Sequence, residues 1–288
     1  MKIRSYFELV KFSHTIFAMP FAMIGFVYAL RTQGFVTERS WGVLLLQVVL
    51  CMVFARNAAM GFNRWADRRI DAANPRTAGR EIPAGKISAR AALLFVVINA
   101  LFFVATAATI NPLTGALSPV ALFAVLFYSY CKRFTALAHL VLGLGLGIAP
   151  VGAYLAVTGT FAWPPCILTL LVATWCGGFD IIYALQDAAF DRRYGLHSVP
   201  ARFSARNALA ISALLHLVSV AALLWFGSYC PQNVWLWAGQ GAFVLILLLE
   251  HLLVTPTRQR NIGIAFGTLN GLASSLLAVF VITALLAG

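Results

Sequence analysis

A series of long apolar blocks, each close to 20 residues and separated by short polar connections, governs what this chain can fold into. A hydrocarbon core about 30 Å thick needs roughly 20 residues of helix to cross it, so each block has the length of a transmembrane span. The blocks fall at 14–30, 41–62, 92–110, 114–130, 137–157, 164–186, 208–226, 234–254 and 263–286. The third and fourth are divided only by a connection holding Asn111-Pro112. Composition agrees: 61% of residues are hydrophobic and 10% charged, whereas soluble domains carry about 25% charged residues. A soluble fold of this length could not hide so much apolar surface. The expectation is an all-α, polytopic membrane protein of about nine transmembrane helices, forming a single domain over residues 1–288. Basic residues before the first block are also what a signal peptide shows, but eight further blocks follow, so it reads as the first helix. The five cysteines, Cys51, Cys131, Cys166, Cys176 and Cys230, show no CxxC pair or His/Cys grouping. Mostly within spans, they read as small hydrophobes.

The formal charge of +12 would suit nucleic acid, but its distribution does not. Lys and Arg occupy the N-terminal segment (Lys2, Arg4, Lys11) and alternate connections: Arg64 to Arg90, Lys132 and Arg133, Arg192 to Arg206, and Arg258 with Arg260. The connections near 111, 160 and 230 have none, and only Arg31 and Arg39 fall on their side. This alternation is the positive-inside pattern, and it puts the N-terminus in the cytoplasm of a bacterial inner membrane. The partners expected are lipid and a membrane-borne substrate, not nucleic acid.

Acidic residues are rare and concentrated. All five Asp lie in two windows at cytoplasmic ends of spans: Asp67 and Asp71, then Asp180, Asp187 and Asp191. At about 100° per residue, Asn63, Asp67 and Asp71 stay within roughly 80° of one another on a continuing helix. Arg56 and Met60 share that sector. Asp180, Asp187 and Asp191 likewise share a face, with Tyr183 beside them. Stacking like charges at four-residue spacing destabilises a bare helix, and the repulsion becomes useful when cations sit between two such helices. Carboxylate and amide oxygens without His or Cys favour a hard ion, Mg²⁺ above all, which keeps waters and takes substrate phosphate oxygens. Two such helix ends facing each other would clamp a diphosphate, with surrounding Arg and Lys as phosphate ligands. The competing reading is two interfacial helix ends with Asp and Arg paired in water. The connections behind the windows echo each other, each with basic residues and then an Ile/Val-Pro-Ala, Ile82-Pro83-Ala84 and Val199-Pro200-Ala201. That echo suggests two related halves with the site between them.

Asn63, Asp67 and Asp71, with Asp180, Tyr183, Asp187 and Asp191, resemble the two motifs of the UbiA superfamily of intramembrane prenyltransferases, one after the second helix and one after the sixth. Arg64 departs from the pattern, since many members have Asp there. The stretches Phe62 to Ser88 and Gly178 to Phe203 look most like quinone-pathway members acting on 4-hydroxybenzoate, or on a dihydroxynaphthoate. Tyr128 to Thr135 resembles the segment that brings a basic residue to the diphosphate. The resemblance implies a helical bundle around a central cavity open sideways to lipid, a polyprenyl diphosphate donor and an aromatic acceptor bearing a carboxylate.

On this reading Asp67, Asp71, Asp187 and Asp191 hold Mg²⁺, which stabilises charge developing on the leaving diphosphate. Asn63, Arg68, Arg76, Lys86, Lys132 and Arg193 are candidate substrate ligands. Asp180, beside Tyr183, either orients or deprotonates the acceptor phenol, or ligates metal. Arg56 lies inside a span, where an arginine generally faces a cavity or a partner; it is expected to bind the acceptor carboxylate, against a snorkelling or Asp-paired role. His139, His216 and His251 read as packing or interfacial residues, and His197 stands closer to the site. Trp41, Trp163 and Trp235 read as interfacial anchors. Some of the 22 Phe are expected to line a cavity and shelter a carbocation, and the run Gly143 to Gly147 to allow close helix packing. A secondary transporter is the rival of another class, but transporters place charges near the midplane on broken helices. Acceptors outside the quinones, such as haem, chlorophyll or a lipid glycerol phosphate, stay open.

Overall fold

The computed structural model describes residues 3–10, 17–37 and 39–288, and the regular elements among them are helices. They are α1 (Ile3–Val10), α2 (Met19–Thr32), α3 (Trp41–Ala66), α4 (Arg68–Ala73), α5 (Ala89–Ile110), α6 (Pro112–Cys131), α7 (Ala138–Thr158) and α8 (Trp163–Ala184). After a 3₁₀ turn at Leu185–Asp187 come α9 (Ala188–Tyr194), α10 (Val199–Arg202), α11 (Ala205–Gly227), α12 (Val234–Leu253), a π turn at Ile264–Leu269 and α13 (Asn270–Ala287).

Eight helices among the described residues are long and apolar enough to cross a membrane. The expected first span is shorter than a full crossing: α2 has 14 residues, about 21 Å of helix. It starts at Met19 with Pro20 in its first turn, where the missing N–H would have had no partner anyway. The expected residues 14–16, together with Lys2, Lys11 and the side chain of Arg4, lie outside the described residues. The other spans fall where the apolar blocks place them. Asn111 alone separates α5 from α6, and it does so by a capping box: its side chain accepts from the Thr114 N–H while Thr114 caps the Asn111 N–H. Ser88, Ser204 and Asn233 start α5, α11 and α12 by the same side-chain cap, which satisfies N–H groups that a helix start leaves open.

Consecutive long helices pack as neighbours from α5 through α8 and on to α11, α12 and α13, while α2 closes the bundle between α7 and α13. α8 is the central post: 72% of its apolar window is buried, against 17% for α3 and for α6. The outer faces carry large apolar side chains such as Leu94, Leu101, Phe123, Leu217 and Val279, all at least 60% exposed. In water such a surface would be untenable; facing lipid it needs no cover. Trp41 and Trp163 project at the starts of α3 and α8, as interfacial anchors do.

Two glycines set the closest approaches of one helix backbone to another. A Cβ on Gly143 would meet the Ala173 carbonyl oxygen at 2.1 Å, locking α7 onto α8, and one on Gly25 would meet the Pro150 carbonyl oxygen at 2.3 Å. The π turn is fixed by Asn270, which donates to Ala265 O and to Glu250 Oε1 and accepts from Trp175 Nε1. Irregular backbone at this depth requires such internal partners.

Gly143→Val should cost about 1–3 kcal/mol by overpacking, read as a lower midpoint of thermal unfolding in detergent. Gly152→Ala on the same helix, where a Cβ meets nothing within 4 Å, should leave the midpoint equal or higher.

Candidate active site

Both acidic windows sit where a long helix breaks. α3 ends at Ala66 and α4 begins at Arg68, so Asp67 is the hinge, with φ −89° and ψ 2°. α8 ends at Ala184, and Asp187 closes the 3₁₀ turn before α9 with φ −103° and ψ 0°. Both backbones lie in the sparsely allowed bridge region, which active-site residues often occupy. The break does not undo the shared face. Asp67 N–H still donates to Asn63 O at 2.9 Å and Asp71 N–H to Asp67 O at 2.8 Å, and Asn63, Asp67 and Asp71 line one cavity with Asp180, Asp187 and Asp191.

Each carboxylate is met by a polar partner, and most partners come from another segment. Lys132 Nζ lies 2.5 Å from Asp67 Oδ2 and Arg133 Nη2 3.0 Å from Asp67 Oδ1. Arg80 Nη1 reaches Asp71 Oδ1 at 2.7 Å. The loop behind the first window crosses to the second: Asn74 Nδ2 donates to Asp187 Oδ1 at 3.0 Å, Arg76 Nε to the same oxygen at 2.8 Å, and Arg76 Nη2 pairs with Asp187 Oδ2. Arg76 Nη1 also donates to the Tyr183 hydroxyl at 2.9 Å and the guanidinium lies over its ring. Burial alone would pull the Arg76 pKa down, but the bonds to Asp187 and Tyr183 outweigh it and hold it above the ordinary arginine value. The loop behind the second window is tied back in turn. Ser198 Oγ donates to Asp191 Oδ2 at 2.8 Å, and His197 N–H donates to Lys132 O at 2.7 Å.

His139 completes this layer. Its Nε2 accepts from the Val199 N–H at 3.2 Å, so the ring proton resides on Nδ1 and is donated to Asp180 Oδ2 at 2.7 Å. The imidazole thus holds Asp180 in place. The reading of His139 as a packing residue is corrected by these two bonds.

The cavity holds about 300 Å³. Its charged layer sits over an aromatic one. Phe17, Phe179 and Phe266 pack with centroids 5.5–5.6 Å apart, and Tyr183 stacks on Phe266 at 4.2 Å. A second, apolar chamber of about 380 Å³ adjoins it, lined by α3, α5, α6 and α7 down to Ile110 and Phe161. Arg56, Met60, Tyr128, Leu142 and Leu146 line both, so they form the threshold between polar and apolar space.

Of the residues singled out from sequence, Arg56, Asn63, Asp67, Asp71, Arg76, Lys132, Asp180, Tyr183, Asp187 and Asp191 line the polar cavity. Arg68, Lys86 and Arg193 do not. Arg68 turns back to donate to Trp65 O at 2.7 Å and stacks on the Trp65 ring, while Lys86 and Arg193 are exposed. Sequence reasoning missed Arg80, Arg133, Asn74, His139 and Ser198 as partners of the five Asp. Their signal was positional, since each lies within a connection on the basic side or the first turn beyond it.

The donor set suits a hard divalent ion. Asp71 Oδ2 is buried without a hydrogen-bond partner, and the lining offers carboxylate and amide oxygens from Asn63, Asp67, Asp71, Asp187 and Asp191. Among the described residues no three His, Cys, Asp or Glu side chains converge into one cage. An ion held by one or two carboxylates keeps positions for water and phosphate oxygens, which is how Mg²⁺ is commonly bound.

Residues 18–286 match the family model described as the UbiA prenyltransferase family. The 4-hydroxybenzoate octaprenyltransferase of Vibrio campbellii is 33% identical over 216 residues, covering 74% of this chain and 75% of its own. The apo structure of a UbiA homolog from Aeropyrum pernix K1 superposes with a TM-score of 0.82 at 29% identity, covering 94% of this chain and 97% of that one. A UbiA homolog from Archaeoglobus fulgidus bound to GPP and Mg²⁺ shares the fold, with a TM-score of 0.76 at 18% identity, covering 99% and 100%.

His139→Leu strips a partner from Asp180 and from the Val199 N–H. It should lower the unfolding free energy by about 1–3 kcal/mol, measured by thermal or denaturant unfolding in detergent. In an Asp180→Asn background the loss should shrink, because the two residues share one bond.

Proposed function

The chain belongs to the UbiA prenyltransferase family and is a prenyltransferase of the membrane, and from that premise we propose that it moves a polyprenyl group from an allylic polyprenyl diphosphate to a ring carbon of 4-hydroxybenzoate, with Mg²⁺ as cofactor. The observation that carries this reading is the juxtaposition of two chambers. A carboxylate- and guanidinium-lined cavity opens directly onto an apolar one, as a diphosphate head with a long hydrocarbon tail requires. The relative from Vibrio campbellii supplies the acceptor, and the fold neighbour solved with GPP and Mg²⁺ supports the donor and the ion.

In this mechanism the single domain divides the work by depth. Asp67, Asp71, Asp187 and Asp191, with Asn63, would hold Mg²⁺. The bound ion would neutralise charge that develops on the leaving diphosphate. Arg76, Arg80 and Lys132 sit beside those carboxylates and turn to phosphate oxygens as the head group enters, since an arginine fork matches phosphate as well as carboxylate. Phe17, Phe179, Phe266 and Tyr183 present ring faces below the head group and exclude water from an allylic cation, which ring quadrupoles attract. Asp180, fixed by the His139 N–H, accepts the phenol proton in a hydrogen bond and raises electron density on the ring carbon that attacks. Arg56 at the threshold takes the acceptor carboxylate. The basic connections that meet the Asp windows support a site at the cytoplasmic face of the inner membrane, with the N-terminus on the same side.

The test is a transfer assay in membranes with Mg²⁺ and octaprenyl diphosphate, offering 4-hydroxybenzoate and 1,4-dihydroxy-6-naphthoate side by side. Product from the benzoate, lost in Asp67→Ala and Asp187→Ala, is expected. Product from the naphthoate alone would move the enzyme to the menaquinone branch, and no diphosphate release from any donor would end the prenyltransfer mechanism proposed here. Arg56→Leu should raise KM for the aromatic acceptor at least tenfold with little change for the donor; equal effects on both would remove Arg56 from acceptor binding.

The tail reading has its own check at Gly152, which lines the apolar chamber. It stands 13 residues beyond His139 on α7, or about 20 Å along the helix. An isoprene unit spans four C–C bonds, about 5 Å, so roughly four units fit above it. Gly152→Phe should therefore keep farnesyl transfer and cut kcat/KM for the octaprenyl donor at least tenfold. Equal losses for both donors would place the tail elsewhere.

A further inference from the structure

Arg64 is the charged side chain of the cavity that the mechanism above does not use. It sits one residue past Asn63 in the last turn of α3, is 5% exposed and lines the polar cavity. Its Nε has no hydrogen-bond partner, and among the described residues no carboxylate lies within ion-pair distance of its guanidinium. The groups that act on it through space are Arg80, Asp71, Tyr128 and Glu81. Of these, Asp71 is already engaged by Arg80. The aspartates that face the cavity are likewise committed: Asp67 to Lys132 and Arg133, Asp187 to Arg76, Asp180 to His139 and Asp191 to Ser198. Arg64 is therefore a buried cation without an ion pair among the described residues, the negative charges that act on it, Asp71 and Glu81, lying beyond ion-pair distance, an arrangement that costs stability. Arginine has five donors and does not give up its proton, so the site cannot relax by neutralising itself. A methionine or leucine would pack the same space without that cost.

We propose that Arg64 is an anion ligand built into the cavity wall, which binds the diphosphate head directly and without a metal ion between them. The proposal rests on the prenyl diphosphate reading and deepens it. It divides the positive charge on the leaving group between divalent cations, which the carboxylates recruit, and one guanidinium that is always present. Diphosphate binding should then persist, weakened, when metal is withdrawn. Arg76, Arg80 and Lys132 must each leave a carboxylate before meeting a phosphate, and Arg56 lies at the threshold to the apolar chamber, where the acceptor reading uses it.

The experiment is calorimetric titration of inorganic diphosphate into the detergent-solubilised full chain, in EDTA and in Mg²⁺, for wild type, Arg64→Met and Arg64→Lys. Thermal unfolding of each ligand-free protein is recorded beside it. Wild type should bind diphosphate in EDTA. Arg64→Met should lose tenfold or more of that affinity while unfolding at the same or a higher temperature, and Arg64→Lys should fall between. Equal metal-free affinity in wild type and Arg64→Met would overturn the proposal. So would wild-type binding that needs Mg²⁺ absolutely, or an Arg64→Met protein that loses affinity only together with its fold while Arg64→Lys binds as wild type. A loss of 4-hydroxybenzoate affinity in place of diphosphate affinity would reassign Arg64 to the acceptor. Failure of wild type to bind diphosphate even with Mg²⁺ would remove the donor reading itself, an outcome distinct from all of these.

Discussion

Placing charge at the edge of hydrocarbon is the constraint on which this architecture depends. Five carboxylates at the ends of two apolar helices would repel one another and resist leaving water. The fold meets this by cross-pairing. Residues behind the first window serve the second, Arg76 neutralising Asp187 and Asn74 donating a hydrogen bond to it, and the α6–α7 connection neutralises the first, as Lys132 and Arg133 do at Asp67. The loops are consequently part of the site's electrostatic frame, and their order and the order of the aspartates are one property. On the proposed reading, the same pairs let an acidic site admit an anionic substrate. An arginine bound to a carboxylate needs only a small side-chain rotation to meet a phosphate, and the carboxylate it releases is then free for a cation.

Depth organises the rest. The ionised layer lies at the helix ends and an aromatic layer beneath it, and the apolar chamber begins at Arg56 and Tyr128 and runs toward Ile110 and Phe161. The order matches a diphosphate head, a reactive allylic carbon and a hydrocarbon tail, taken from water inward. Close helix approach makes the chamber possible. With α7 held against α8 by Gly143, space is conserved on one face of α7 and left open on the other.

Much of this was legible in the sequence because its physics is one-dimensional. Apolar block length gave the spans, and the exception, α2, shows the limit: hydropathy measures a run and does not see that the helix starts at Met19-Pro20. The four-residue spacing of Asn63, Asp67 and Asp71 predicted a shared face, and it survives the break at Asp67 because the backbone bonds on either side persist. What was illegible is three-dimensional. Arg68 was chosen for its adjacency to Asp67, yet a neighbour in sequence points about 100° away on a helix, and it packs on Trp65 instead. Arg80 and His139 were overlooked because their partners lie 9 and 41 residues away, distances that no local period encodes.

The positive charge also carries two duties that a sequence count merges into one. Lys132, Arg133, Arg76 and Arg80 belong to the connections that carry the positive-inside pattern of the sequence, and they are also the side chains that meet the aspartates. An orienting charge needs only to remain in water, so its position along a loop is unconstrained. A pairing charge needs a fixed Cα and a fixed reach. Arg193 and Lys86 meet the first requirement and not the second, being exposed and away from the cavity. The two duties therefore separate only when the loops are folded. Asp67 turns the chain out of a long helix and into the loop whose Arg76 serves Asp187 in the opposite half, whereas the loop after Asp187 brings Ser198 back to its own Asp191 and keeps Arg192 on its own carbonyls.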